Sequence, residues 1–85
     1  MLRTPVGNTR QRILTWLRDP GRSERGVTAD AVATHFGLPL PVAATHLHLL
    51  AALGVLRTAG VLGRLRYRRD EVRIAEVCRM LGKGW

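Results

Sequence analysis

The sequence predicts a mainly α-helical fold that carries one small antiparallel β-hairpin. Apolar residues recur at helical spacing through most of the 85 residues, which indicates several amphipathic helices. Within 55–69 the spacing of the apolar residues changes from about 3.6 to about 2 residues. Glycines interrupt this segment, as in two strands joined by a turn. A chain of this length is expected to form a single small domain, here 1–85.

The first predicted helix follows a short N-terminal segment. Residues 1–7 are expected to form a flexible arm. Asn8 then suits an N-cap, and Gln11 three residues later completes a capping box. The buried side of the helix is expected to consist of Ile13, Leu14 and Leu17.

Two features of the next segment interrupt the helical pattern. Trp16 lies off the apolar side of the first helix, which leaves two roles open for it, a core edge or a dimer contact. Residues 19–26 are polar and contain proline and glycine, so the sequence predicts a loop. Val27 is expected to form a single bridge to the sheet.

Residues 28–54 predict two helices joined by a tight turn. Thr28 suits the N-cap of the first helix, and Gly37 suits its end because glycine takes a left-handed conformation without a Cβ penalty. Pro41 suits the first position of the second helix, where no backbone N–H is needed, and Gly54 ends it. Two short helices across a small turn are typical of a helix-turn-helix unit, whose second helix enters the DNA major groove.

Residues 55–69 predict a basic hairpin directly after that unit. Its strands are expected at 55–59 and 64–69. Alternation places Leu65 and Tyr67 on one face of the second strand and a set of arginines on the other, namely Arg64, Arg66 and Arg68. Such a hairpin is typical of the wing of a winged helix-turn-helix. The alternative is an ordinary edge hairpin that charge protects from aggregation.

The last predicted helix spans 70–82. Asp70 begins it, where an acid interacts favourably with the helix dipole. Its apolar residues cover more than one face, so we expect a symmetric dimer built from this helix and the first one. The predicted interface residues are Ile74, Val77, Cys78 and Leu81. Cys78 also fits a second role, that of a small buried hydrophobe.

The charge distribution indicates a polyanionic partner. The formal net charge is +8, and arginine supplies all but one of the 14 basic residues. None of the six acids lies before Asp19 or within 31–69. Clustering of this kind favours nucleic acid, here double-stranded DNA, over a basic surface that is merely solvated.

Several other classes of protein find no support in the sequence. No apolar run reaches the roughly 18 residues of a membrane span, and the N-terminus lacks the apolar core of a signal peptide. The single cysteine excludes an internal disulfide and suits a cytoplasmic protein. No catalytic set can be assembled from the six acids, which lie mostly at predicted helix ends, so a non-enzyme is expected.

With these elements in order, the chain resembles the ArsR-type winged helix-turn-helix repressors of bacteria over about 10–81. Four segments carry the resemblance, Thr28-Ala29-Asp30-Ala31-Val32-Ala33, Thr45-His46-Leu47-His48-Leu49-Leu50, Ala52-Leu53-Gly54-Val55-Leu56-Arg57 and Gly63-Arg64-Leu65-Arg66-Tyr67-Arg68. The resemblance implies a cytoplasmic homodimer that pairs through its first and last helices and represses promoters. Many members of the family respond to metal ions.

The sequence contains few residues that are suited to bind a metal ion together. Metal-sensing members of the family carry paired cysteines, or histidine and carboxylate ligands on the last helix, where this chain has only Glu76 and Cys78. His46 and His48 point roughly 200° apart on a helix and cannot share an ion within one chain. No metal or other cofactor is therefore expected, and a metal-responsive sensor is the weaker alternative. His46 is interpreted as a core-edge histidine with a hydrogen-bond partner.

The predicted DNA-contacting residues come from the second helix of the motif and from the wing. They are Pro41, Ala44, Thr45, His48, Arg57, Arg64, Arg66 and Arg68. Because 29–56 contains no Arg, Lys, Asn or Gln, the helix lacks every side chain that recognises a purine with two hydrogen bonds. A second hypothesis is a winged-helix adaptor that binds a protein through the apolar wing tip, Val61 and Leu62.

Overall fold

The computed structural model describes residues 5–60 and 64–81. Within these ranges the order of elements is α1 (Pro5–Trp16), α2 (Pro20–Arg25), α3 (Ala29–Phe36), α4 (Leu40–Ala52), β1 (Leu56–Ala59), β2 (Arg66–Arg69) and α5 (Glu71–Leu81). The two strands pair antiparallel. The predicted class, mainly α with a small antiparallel hairpin, is confirmed.

The first helix begins earlier than the sequence predicts. It starts at Pro5, so Asn8 and Gln11 lie inside it and do not form a capping box. Proline is favourable at a first helical position because its missing N–H is not needed there. Of the predicted arm, 5–7 is helical and 1–4 lies outside the described residues. The predicted buried side, Ile13, Leu14 and Leu17, is confirmed, with at most 1% exposure.

The predicted loop at 19–26 is wrong, because α2 lies within it. The Asp19 side chain caps this short helix by accepting a hydrogen bond from the Arg22 N–H at 3.3 Å, and Pro20 occupies its first position. No residue of α2 is buried. The helix therefore leaves no apolar period in the sequence, and only its capping residues indicate it.

The helix-turn-helix forms largely as predicted. The Thr28 hydroxyl accepts a hydrogen bond from the Ala31 N–H at 3.2 Å, and Gly37 ends α3 with φ of 65°. The second helix begins at Leu40, which puts Pro41 one position later than predicted but still within the first turn, where its missing N–H is not needed. Gly54 follows α4 with φ of 86°, as the predicted stop requires.

The wing strands are shorter than predicted but keep the predicted alternation. Leu56 pairs with Arg69 and Ala59 with Arg66. Val27 forms the expected bridge to Tyr67, with backbone hydrogen bonds of 2.9 and 2.8 Å in the two directions. The wing is thereby fixed to the segment between α2 and α3. The predicted adaptor residues at the wing tip, Val61 and Leu62, lie outside the described residues.

The core draws on every element except α2. Its buried apolar residues are Ile13, Leu14, Leu17, Val27, Val32, Ala43, Leu47, Leu50, Val55, Leu56, Tyr67, Ile74 and Val77. Asp70 directly precedes α5 and accepts a hydrogen bond from the Arg73 N–H at 3.1 Å, so it caps the helix, which begins one residue later than predicted, at Glu71. The Ile74 and Val77 side chains thus pack within the same chain.

Trp16 belongs to an aromatic cluster that joins α1 to α3. Its ring stacks on His35 at a centroid distance of 4.4 Å and meets the Phe36 ring edge-on at 5.5 Å. The Arg22 guanidinium lies 4.6 Å from the same ring, a cation–π distance, and donates a 2.8 Å hydrogen bond to the Trp16 carbonyl. Within the protomer, Trp16 is therefore a half-buried core-edge residue.

Candidate nucleic-acid interface

The fourth helix turns one face to the core and another to solvent. Ala43, Leu47 and Leu50 are buried against the other elements. On the opposite side, Pro41, Thr45 and His48 are exposed and Ala44 is half-buried. Because Pro41, Ala44 and Thr45 have short side chains, the backbone of α4 is able to approach a flat or grooved partner closely.

One hydrogen bond limits what Thr45 offers to a partner. Its hydroxyl donates to the Pro41 carbonyl at 2.8 Å. The single hydroxyl proton is therefore used within the helix, and the oxygen remains available only as an acceptor. His48 is exposed and carries a ring that is able to donate or accept.

The outer face of the hairpin carries like charges opposite one another. Arg57 and Arg68 are cross-strand partners, and Arg66 faces Ala59. Like charges placed directly opposite each other in a sheet are destabilising unless an anion lies between them. Arg57 is 3.8 Å from Asp70, with two thirds of its side chain exposed, so this ion pair is weak.

Two other wing arginines contact backbone oxygens. Arg66 donates to the Gly26 carbonyl at 3.3 Å, and Arg68 donates to the Glu24 carbonyl at 3.4 Å. These contacts are long and leave the positive charges without a carboxylate partner among the described residues. They orient both guanidinium groups toward the segment that precedes α3.

A groove of about 980 Å³ separates the wing from the start of α4. It brings together four of the predicted DNA-contacting residues, Ala44, Arg64, Arg66 and Arg68. It also includes Arg25 of α2, which the sequence does not indicate as a site residue because 19–26 predicts a polar loop. Asp30 is the one acid that lines this groove. Four arginines against one aspartate make the groove strongly positive.

The other predicted contacts lie elsewhere. Pro41 and Thr45 line a smaller groove between α4 and α1, and Arg57 lies on the outer face of the hairpin. His48 is exposed but lines neither groove. The exposed face of α4 thus lies between the two grooves.

Arg69 is a buried residue that the sequence analysis left unassigned. Its side chain is 3% exposed, donates to the Leu14 carbonyl at 2.7 Å and pairs with Glu71 at 2.6 and 3.1 Å. The hydrogen bond from Arg69 lowers the pKa of the Glu71 carboxyl below its ordinary value. Alternation predicts this burial, since Arg69 is in phase with Leu65 and Tyr67.

Three of the four predicted interface residues of α5 are placed by the structure, and the side chain of Leu81 lies outside the described ones. Ile74 and Val77 are 4% and 5% exposed and face the protomer's own core, while Cys78 is half-buried. Among the described side chains of the helix, the large apolar ones that are exposed are instead Val72 and Met80, at 74% and 72%. The excess apolar surface that motivated the dimer prediction is thus partly explained by burial within one chain.

The described residues contain neither a cluster of metal ligands nor a membrane-spanning helix. No group of three or more His, Cys, Asp or Glu side chains within 5–60 and 64–81 is placed to hold a metal ion. No helix in the same ranges is long and apolar enough to cross a membrane.

Comparison with known proteins finds similarity among solved structures. No protein-family model matches the sequence, and no curated protein matches it significantly. Among solved structures, an ArsR-like transcriptional regulator from Rhodococcus sp. RHA1 superposes with a TM-score of 0.65 at 28% sequence identity. The match covers 88% of this chain and 66% of that protein, just under two thirds of its length. The resemblance inferred from the sequence is confirmed, and the chain has the winged helix-turn-helix fold of the ArsR-like regulators.

Proposed function

We propose that the protein is a dimeric transcriptional regulator, specifically a repressor, that binds double-stranded DNA in a sequence-directed manner. In this proposal α4 lies in the major groove, and the arginines of the wing contact phosphates or the minor groove. A regulator of this kind acts where the chromosome is, so a cytoplasmic location belongs to the proposal. The similar Rhodococcus protein is an ArsR-like transcriptional regulator, which supports a non-catalytic role for this chain.

The observation that carries the proposal is the positive groove between α4 and the wing. It is lined by Arg25, Arg64, Arg66 and Arg68, and Ala44 of α4 lies at its other side. A phosphodiester backbone is the polyanion that fits beside a helix inserted into the major groove. Phosphates near the outer face of the wing also relieve the repulsion between the cross-strand partners Arg57 and Arg68.

The dimer in this proposal uses α5 together with α1. Ile74 and Val77 are already buried in the protomer, so the contact falls to the exposed Val72 and Met80, with Cys78 at its edge. A two-fold dimer presents two copies of α4 to DNA. Their half-sites are then about one helical turn apart.

An adaptor that binds a protein through Val61 and Leu62 is the competing hypothesis. The charge pattern argues against it, since the described part of the wing presents arginines to solvent. The two hypotheses differ in salt response. DNA binding weakens steeply as salt rises because condensed counterions are released, whereas an apolar protein contact responds little.

Selection from random duplex DNA tests the proposal. The protein is mixed with a random duplex library, bound fragments are recovered over several rounds, and they are sequenced. We expect enrichment of a motif with two related half-sites about one turn apart. Recovery of fragments with no shared motif, or equal recovery of single strands, would contradict sequence-directed duplex binding.

A further inference from the structure

The smaller groove lies on the flank of α4 that faces away from the wing. Its volume is about 300 Å³, at the lower end of the range for pockets that bind small molecules. Pro41, Val42 and Leu49 of α4 provide apolar walls, and Arg10 of α1 provides a charge. Apolar walls with a few polar groups are the usual composition of small-molecule sites.

The polar groups of this groove are incompletely paired. His46 lines it and is 5% exposed, and its Nδ1 atom is buried without a hydrogen-bond partner among the described residues. Arg10 has no carboxylate partner there either, although all six acids of the chain are among the described residues. The groove therefore has a positive charge that no acid of the chain neutralises.

Arg10 also disfavours a second positive charge nearby. Burial lowers the pKa of His46 below its ordinary value, and the Arg10 guanidinium lowers it further. An anion bound to Arg10 would remove that repulsion. The walls decide which anion suits the groove, because Val42 and Leu49 are 41% and 45% exposed and release water when an apolar group covers them.

We propose that this groove binds a small amphipathic carboxylate. Its carboxylate pairs with the Arg10 guanidinium, whose planar fork matches a carboxylate with two parallel hydrogen bonds. Its hydrocarbon part lies against Pro41, Val42 and Leu49. A bare, strongly hydrated anion gains nothing from these walls, so inorganic phosphate is a poor ligand. Pro41 is also one of the predicted DNA-contacting residues, but the site does not rest on the proposed function, because it is defined and tested on the free protein.

The test is an NMR titration of the full chain with three probes, naphthoate, naphthalene-methanol and inorganic phosphate. Naphthoate is expected to shift the methyl resonances of Val42 and Leu49 and to saturate with a dissociation constant on the order of 1 mM or lower. The uncharged alcohol and phosphate are expected to bind at least about fivefold more weakly, because the alcohol lacks the negative charge and phosphate lacks the hydrocarbon part.

The titration of His46 provides a second readout that nonspecific binding would not change. Naphthoate is expected to raise the pKa of His46 by neutralising Arg10, whereas the alcohol is expected to leave it unchanged. The Arg10→Gln variant should raise this pKa without ligand and remove the preference for naphthoate. Arg12→Gln is the matched control, since Arg12 is an exposed arginine of the same helix that does not line the groove.

Four results would overturn the proposal. Two concern binding: naphthoate gives no saturable shifts, or the alcohol or phosphate binds with equal affinity. The third is a His46 pKa that naphthoate does not raise, and the fourth is methyl shifts that depend only on the protein concentration. The last would mean that a second copy of the chain occupies the groove. A preference for naphthoate that Arg10→Gln abolishes and Arg12→Gln preserves would support it.

Discussion

The guanidinium of Arg69 donates a 2.7 Å hydrogen bond to the backbone carbonyl of Leu14, which lies 55 positions earlier in the chain. The same guanidinium pairs with Glu71 at 2.6 Å. One side chain thus joins the end of the wing to α1 and to the start of α5. Since these helices are the proposed dimer surface, Arg69 links that surface to the wing that is proposed to contact DNA.

Replacing Arg69 is expected to destabilise the protein. Arg69→Ala leaves the buried Leu14 carbonyl without this donor and should lower the free energy of unfolding by about 2 to 4 kcal/mol. Arg69→Lys keeps the positive charge but not the planar, forked set of N–H donors, so an intermediate loss of stability is expected. Urea denaturation followed by circular dichroism measures both.

The control is Arg68→Ala, which removes an exposed neighbour and should change the free energy of unfolding by no more than about 0.5 kcal/mol. Equal effects for Arg68 and Arg69 would show that burial of Arg69 contributes nothing to stability.

Fold elements with an apolar period were predictable, and those without one were not. The buried faces of α1 and α4 follow from residues such as Leu14 and Leu47, which recur at helical spacing. The short α2 has no buried residue, so its only signals are Asp19 and Pro20. The early start of α1 at Pro5 was not predictable, because Asn8 and Gln11 have the spacing of a capping box but lie inside the helix.

The site was predictable where strand alternation determines it. Arg66 and Arg68 are exposed as predicted, and the same alternation also accounts for the buried Arg69. Arg25 was not predictable, because its place in the groove depends on how α2 packs near β2. The sequence pattern also does not reveal that the Nδ1 atom of His46 lacks a hydrogen-bond partner among the described residues, since the predicted partner depends on the neighbouring elements.

The buried His46 should make stability depend on pH. Its pKa is lowered in the folded state, so the unfolded chain binds more protons as the pH falls below about 6.5. Stability that is present above this pH is therefore lost as the pH falls toward the folded-state pKa. Urea denaturation at about pH 7.5 and about pH 5.5 should show the loss in the wild type.

His46→Leu and His48→Leu separate this effect from other titrations. The first variant removes the buried imidazole and is expected to reduce the loss of stability at low pH. The second removes an exposed one and is expected to leave the loss unchanged. If both variants keep the wild-type pH dependence, protonation of His46 is not its cause.

The dimer prediction concerns the exposed side of α5. Sedimentation at tens of micromolar protein is expected to give twice the 9.4 kDa mass of one chain. Val72→Ser with Met80→Ser should shift the protein toward monomer, because both side chains are largely exposed in the protomer and apolar. Leu53→Ser, at the exposed residue that directly follows α4, is the control and should not. A wild-type monomer with and without DNA would exclude the proposed assembly.

Base discrimination by α4 is expected to be modest. The Thr45 hydroxyl donates within the helix and offers only an acceptor and a methyl group, so His48 supplies the only polar donor on this face. Thr45→Ala with His48→Ala should reduce discrimination between a selected site and its single-base variants, measured as affinity ratios. Wild-type penalties far above about 3 kcal/mol per base pair, or unchanged ratios in the double variant, would contradict this account.

The most direct test of duplex binding through the wing is the salt dependence of affinity for a selected duplex. Arg64→Ala, Arg66→Ala and Arg68→Ala together should weaken binding to all duplexes alike and should flatten the slope of log affinity against log salt by roughly 3 units, about one per phosphate contact. The control triple variant, Arg12→Ala, Arg18→Ala and Arg79→Ala, removes the same charge from exposed positions outside the groove and should nearly keep the wild-type slope. A wing variant that retains both the wild-type affinity and the wild-type slope would contradict the central claim.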